Sequence, residues 1–372
     1  MIVYKGIRYA TAERFGSPKQ EPRLSSLNGI ETAMRICPQN PSRLEGMMGG
    51  TNGLLDQSED CLRLAIYSPS TDRRLPVLVW IHGGAFLTGS GLYDKYDATD
   101  LAREGDIVVV CISYRLGAFG FLYDPEHGIV NVGIQDQVCA LRWIRDNIGL
   151  FGGDPDDVTI FGQSAGGYSV LHHIANVTET LFSKAIIASA PFFKVKRNAL
   201  HKTTQTWYKE VGGRTVAHSV EEMLKAQKMI ADKHFTMPFC AAGDDVTKPS
   251  AVAPGLKAVK LWCQQDDASA FVPYKSASKF ITSLIFRKPM YRYTSRLKGL
   301  GVDASCNVLK WRHGTSPWGA AHCMELPLLF GDFDTWKRAP FMEGVSIEEY
   351  KHQAALLRKD LLMIIHQHPS CQ

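Results

Sequence analysis

Residues 158–177, VTIFGQSAGGYSVLHHIANV, read as an apolar β-rich run (158–162) that passes straight into a helical pattern (165–177), with only Gln163 and Ser164 between them. A strand feeding directly into a helix is the unit of a parallel sheet flanked by helices. Working outward, LPVLVWI (75–81), DIVVVCISY (106–114) and KAIIAS (184–189) are further strands, apolar without alternation, as central strands covered on both faces should be. QDQVCALRWIRDNI (135–148) spaces Val138, Leu141, Trp143, Ile144 and Ile148 for a helix. These features predict an α/β class with a mostly parallel central sheet flanked by helices. From 194 to 255 the pattern loosens into polar helix and proline-containing loop, which predicts a small helical insertion within a single domain spanning 1–372. Beyond it, KAVKLWC (257–263) predicts a strand, roughly 270–286 a helix, PMYRYTS (289–295) a strand and 346–367 a closing helix.

Composition narrows the function classes. The 372 residues carry 42 Lys and Arg against 37 Asp and Glu, a formal charge of +5, and 45% are hydrophobic. No run of five or more like charges marks a nucleic-acid or acidic-lipid patch, so no nucleic-acid partner is expected. No stretch reaches 18 uninterrupted apolar residues, so no membrane span is expected, and Lys5 and Arg8 fall where a signal-peptide core would lie. That favours a cytoplasmic protein, unless the N-terminus has been trimmed from a secreted one; oligomeric state is left open. The nine cysteines include no CxxC pair and no Cys/His cluster of zinc spacing, so neither a metal site nor a cofactor is expected.

Gly162, Gln163, Ser164, Ala165 and Gly166 form G-x-S-x-G at the strand-to-helix turn. Such a turn holds its serine in a strained conformation, and glycines two residues either side are needed where neighbouring backbone passes close. It also sets Ser164 at the positive end of the following helix, where developing negative charge is favoured. A serine hydroxyl is a weak nucleophile, so this chemistry requires a base, an orienting acid and an oxyanion hole elsewhere. After the strand at 75–81, His82, Gly83 and Gly84 turn the backbone outward, which makes the amides of Gly83 and Gly84, joined by that of Ala165, the candidate oxyanion hole.

Five blocks, SEDCLRLAIYSP (58–69), PVLVWIHGGAFLTGS (76–90), ISYRLGAFGFL (112–122), the run 131–170 and LFSKAIIASA (181–190), resemble in order the conserved blocks of the type-B carboxylesterases. That group includes carboxylesterases, cholinesterases and the inactive neuroligin-like adhesion proteins. The likeness is close over residues 3–193 and patchy beyond. It implies an α/β-hydrolase fold with a reduced cap, and Ser164 as nucleophile with Gly83, Gly84 and Ala165 as the oxyanion hole. LWCQQDDASAF (261–271) resembles the acid segment with Asp267 at the acid's position, Asp266 being the alternative; the family residue is usually glutamate. WGAAHCMELPLLFGDF (318–333) resembles the histidine block and assigns the base to His322, with His313 the second choice.

The resemblance also implies a Cys37–Cys61 disulfide, structural polar roles for Arg115, Asp136, Glu59 and Asp60, and a pocket bordered by Phe86 and Gln163. No tryptophan lies between Cys37 and Cys61, where cholinesterases place a choline-binding one, and Gln163 stands where many relatives have Glu. Both differences disfavour a cationic substrate. The expected function is therefore that of a serine carboxylesterase, hydrolysing uncharged, largely apolar small-molecule esters through an acyl-enzyme. An acyl transferase or repurposed biosynthetic enzyme using the same triad, and a non-catalytic neuroligin-like binding protein, are the alternatives.

Overall fold

The apolar runs become the strands of one eight-stranded sheet: β1 (Ile2–Arg8), β2 (Arg63–Ser68), β3 (Leu75–Ile81), β4 (Val108–Ile112), β5 (Gly153–Gln163), β6 (Lys184–Ala188), β7 (Ala258–Gln264) and β8 (Asp303–Leu309). The computed structural model describes residues 1–50, 55–214, 217–234, 237–243, 245–272, 274–312 and 316–367. Across the sheet the order is β1-β2-β4-β3-β5-β6-β7-β8. The β1–β2 and β2–β4 pairs are antiparallel and the remaining five pairs parallel.

Successive strand residues point to opposite faces, and each face has its own core. Val77, Val79 and Ile81 of β3 enter one cluster, which contains Trp143 and Leu171. Leu78 and Trp80 enter the other, with Phe330 and Leu361. The covering helices are α1 (Val132–Asn147), α2 (Ala165–Asn176), α3 (Arg197–Val211), α4 (Val220–Lys233), α5 (Lys288–Gly299) and α6 (Ile347–Ile365). Two coverings explain why β3 and β4 are apolar at every position.

Residues 289–295, expected as a strand, lie inside α5. Met290, Tyr293, Thr294 and Leu297 are its buried positions, spaced by three and four residues. That one-sided burial outweighs the strand preference of Tyr and Thr. The last strand is instead β8, further along the chain. The helix expected near 270–286 is a 3-10 turn (Asp267–Ala270), a helix (Lys275–Ile281) and a π turn (Thr282–Arg287) that runs on into α5. In the 194–255 stretch, α4 begins with a capping box between Ser219 and Glu222. Trp207 of α3 packs edge-on against Phe15, and Gln227 of α4 accepts a 2.8 Å bond from the Ala118 amide.

The loop after β4 is fastened to α1 by a buried ion pair. Arg115 Nε and Nη2 donate to the two Asp136 oxygens at 2.8 and 2.6 Å, and the Arg115 amide donates to Asp136 at 3.1 Å. Asp136 is fully buried, so removing it would strand the guanidinium without a counter-charge. Glu59 pairs with Arg14, and Asp60 with Arg63 and Arg35, nearer the surface. Asp136→Ala is expected to lower unfolding stability by about 3–5 kcal/mol, read from the urea midpoint, whereas breaking the exposed Arg73–Asp106 pair with Arg73→Ala should cost far less.

Candidate active site

All the candidate residues follow the carboxyl ends of parallel strands, where open α/β sheets place their sites. Gly83 follows β3, Ser164 follows β5, Asp267 follows β7 and His322 lies beyond β8. Ser164 has φ 58° and ψ −122°, a conformation that costs an L-residue roughly 1–3 kcal/mol and persists only where surroundings enforce it. The enforcement is steric. A Cβ on Gly166 would sit 2.0 Å from the Ile81 carbonyl oxygen at the end of β3, and one on Gly162 would sit 2.2 Å from the Gly166 carbonyl oxygen. The Ser164 amide is tied to the Ala188 carbonyl of β6 at 2.9 Å. The side chain itself is only half-buried and, among the described residues, its hydroxyl has no hydrogen-bond partner.

The turn after β3 lies against this serine: an added Cβ on Gly83 would be 3.0 Å from Ser164 Cβ. Gly84 has φ 103°, and Ala85 and Phe86 also have positive φ, so the backbone winds outward over three residues. Among the described residues the amides of Gly83 and Gly84 reach no acceptor. The Ala165 amide is the first of α2 and has no partner within the helix. His82, in the same turn, takes no part: its ring is stacked on Tyr114 at 4.4 Å, and burial lowers its pKa to about 4, keeping it neutral.

Asp267 and His322 are both buried and joined by a 2.8 Å bond between Asp267 Oδ1 and His322 Nδ1. Asp267 Oδ2 also accepts from the Gln264 amide at 2.7 Å and Ser189 Oγ at 3.2 Å. Asp266 faces elsewhere, its Oδ2 accepting from the Ala320 amide at 3.4 Å. With Nδ1–H committed to Asp267, His322 Nε2 is an acceptor, and the Gln163 amide group donates to it at 3.2 Å. Gln163 thus bridges the serine turn and the imidazole, a contact that sequence reasoning had reduced to a pocket position. Phe271 and Phe286 stand 5.1 and 5.7 Å from the His322 ring.

Three residues after His322, Glu325 is fully buried. One of its oxygens accepts from Gln264 Nε2 at 2.6 Å and the other has no partner. Burial, reinforced by the nearby Asp267 charge, raises its pKa to about 7. Sequence reasoning missed Glu325, Gln264 and Ser189; the signal available for the last two was their place at the carboxyl ends of β7 and β6.

The remaining expectations fall out differently. Phe86 is fully buried against Phe121 and Tyr168, behind the glycine turn, with no solvent reaching its ring. Cys37 and Cys61 are neighbours, yet the structure holds them as free thiols: a hydrogen bond to Cys37 and burial push the Cys61 thiol well up, and Cys37 Sγ accepts from the Leu116 amide at 3.2 Å. The bridge implied by the resemblance is not formed in this structure. His313 lies outside the described residues.

A sequence model of the carboxylesterase family matches residues 1–237. Among curated relatives, the chain is 35% identical to a protein named as a probable N-octanoylanthranilate hydrolase of Rhodococcus erythropolis, covering 96% of this chain and 87% of that one. It is 32% identical to a para-nitrobenzyl esterase of Bacillus subtilis, covering 90% and 80%. Of solved structures, a PNB esterase superposes over 100% of this chain and 88% of its own with a TM-score of 0.85 and 27% identity.

Glu325 sits in a protonation state that the pH can change. Its folded pKa lies above the value of 4.5 for a free glutamate, so its contribution to stability is fully present below pH 4.5 and is lost as pH rises through about 7. Glu325→Gln cannot ionise, so the urea midpoint of the variant relative to wild type should climb between pH 5 and pH 8; parallel curves would refute the assignment.

Proposed function

Because the chain belongs to the carboxylesterase family and is a carboxylic ester hydrolase, we propose that it cleaves uncharged, largely apolar esters through a Ser164–His322–Asp267 triad and an acyl-enzyme. What supports this reading is Ser164 on its strained turn, the glycine turn against it whose two amides have no acceptor among the described residues, and an imidazole bonded to a buried carboxylate and to Gln163, the residue before the serine. In the first step His322 Nε2 exchanges its bond from Gln163 for one from the Ser164 hydroxyl and takes that proton as the oxygen attacks the ester carbonyl. The amides of Gly83, Gly84 and Ala165 receive the oxyanion, and Asp267 holds the imidazolium that forms. The proton then passes to the departing alcohol. Water, deprotonated by the same nitrogen, releases the acid and restores the serine.

The apolar preference has three supports. Phe271 and Phe286 flank His322, the residue before the nucleophile is the neutral Gln163, and the relatives above are named for an octanoyl compound and a para-nitrobenzyl ester. We read residues 1–372 as one domain in which 194–255 forms a small cap: α3 and α4 lie on the N-terminal loops and the segment after β4.

A p-nitrophenyl acyl ester series from acetate to dodecanoate tests this directly. Wild type should hydrolyse it and Ser164→Ala should not; an inactive wild type would reject the proposal. Asp267→Asn should lower turnover by about 10⁴-fold, as loss of the correct tautomer does in such triads, with Asp266→Asn mild. The reverse ranking would move the acid by one residue.

Gln163 provides a sharper test. It presents a neutral N–H to His322 Nε2, whereas a carboxylate there would favour the imidazolium. Gln163→Glu should therefore shift the acid limb of kcat/KM upward by about one pH unit, with activity recovering at alkaline pH.

A further inference from the structure

Between Asp267 and Asp303 the chain contains no Asp or Glu, yet it carries Lys275, Lys279, Arg287, Lys288, Arg292, Arg296 and Lys298. The rest of the chain has two more acids than bases, so the whole positive excess of the protein resides in this one segment. Among the described residues none of the seven forms an ion pair. The same segment is unusually apolar at its surface. Of the eleven large hydrophobic residues exposed among the described residues, five are Phe271, Tyr274, Phe280, Leu284 and Tyr291, with Tyr274 and Phe280 at 75% and 68% exposure.

The helical run Lys275–Gly299 sorts these groups by face. Phe280, Leu284, Lys288, Tyr291 and Arg292 are exposed, whereas Phe286, Met290, Tyr293 and Leu297 are buried. The inward Phe286 stands 5.7 Å from the His322 ring, and Phe271, at the head of the segment, stands 5.1 Å from it and is 42% exposed. One element therefore covers the catalytic histidine from inside and presents mixed cationic and apolar side chains outside.

We propose that residues 271–298 are a docking face for an anionic lipid–water interface, which brings the site to esters dissolved there. A helix with apolar and cationic residues interleaved on its exposed side binds such an interface by placing rings and aliphatic chains at the acyl boundary and cations among the headgroups. A second copy of the chain is the poorer occupant, since it would set the six exposed cations of this segment, all but the half-buried Arg287, against six more. No helix among the described residues is long and apolar enough to cross a membrane, so the contact is superficial. The cations are separated by apolar residues, which is why no contiguous charge run marks the patch in the sequence; helical winding gathers them. The proposal rests on the esterase reading only for the substrate that docking delivers.

The test is flotation of the full chain with phosphatidylcholine vesicles, with and without phosphatidylglycerol. Wild type should float with the anionic vesicles only, and added salt should release it. The triple variant Lys279→Glu, Lys288→Glu, Arg292→Glu and the double variant Phe280→Ser, Leu284→Ser should each weaken binding by about tenfold or more, while hydrolysing soluble p-nitrophenyl acetate like wild type. Ser164→Ala should bind vesicles normally, so a failed esterase reading leaves this result intact. Equal binding to neutral and anionic vesicles, no binding to either, or unimpaired binding by the triple variant would overturn the proposal. So would light scattering that finds a dimer dispersed by the Phe280 and Leu284 substitutions in place of vesicle binding.

Discussion

The site depends on one close passage of backbone. At the end of β5 the chain reverses within three residues, and it can do so only because Gly162 and Gly166 leave room for each other and for the Ile81 carbonyl of β3. Any side chain at Gly166 would collide with backbone that belongs to the centre of the sheet and cannot move. The positive φ of Ser164 follows from that confinement. The sheet supplies the strength: β3 and β6 flank β5 on its two sides, and the Ser164 amide is bonded to β6. Strain at one residue is thus sustained by the burial of three strands.

The same passage brings the glycine turn after β3 against Ser164, so the proposed nucleophile and oxyanion donors are positioned by one constraint. The proposed acid and base are supported separately. Asp267 is held by Gln264, Ser189 and His322, which together use both of its oxygens. Glu325, in the same neighbourhood, has a single donor and an unpartnered oxygen, and burial together with the nearby Asp267 charge raises its pKa to about 7.

Most of the sheet was legible in the residues because the parallel strands are buried on both faces and so read as unbroken apolar runs. The strand at 75–81 is found with the boundaries its hydropathy indicates. Residues 289–295 misled for a physical reason: Tyr, Thr and Met fit a half-buried strand as well as a helix, and only the neighbouring core decides which spacing is buried. Phe86 and Gln163 were less legible. Nothing local distinguishes a ring buried behind a turn from one facing a pocket, or shows that a glutamine expected at the pocket donates to a histidine 159 positions away.

The amino-acid order alone specifies the turn chemistry, the β-to-α alternation and the residue types that nucleophile, base and acid require, because each is a short-range property of backbone geometry and burial. Folding contributes what depends on distance across the chain. It chooses Asp267 over its neighbour to face His322, and it buries Glu325 beside them. It also winds scattered cations and apolar rings onto one outward face. These are consequences of which elements pack together, and packing is settled only when the whole sheet and both its coverings are in place.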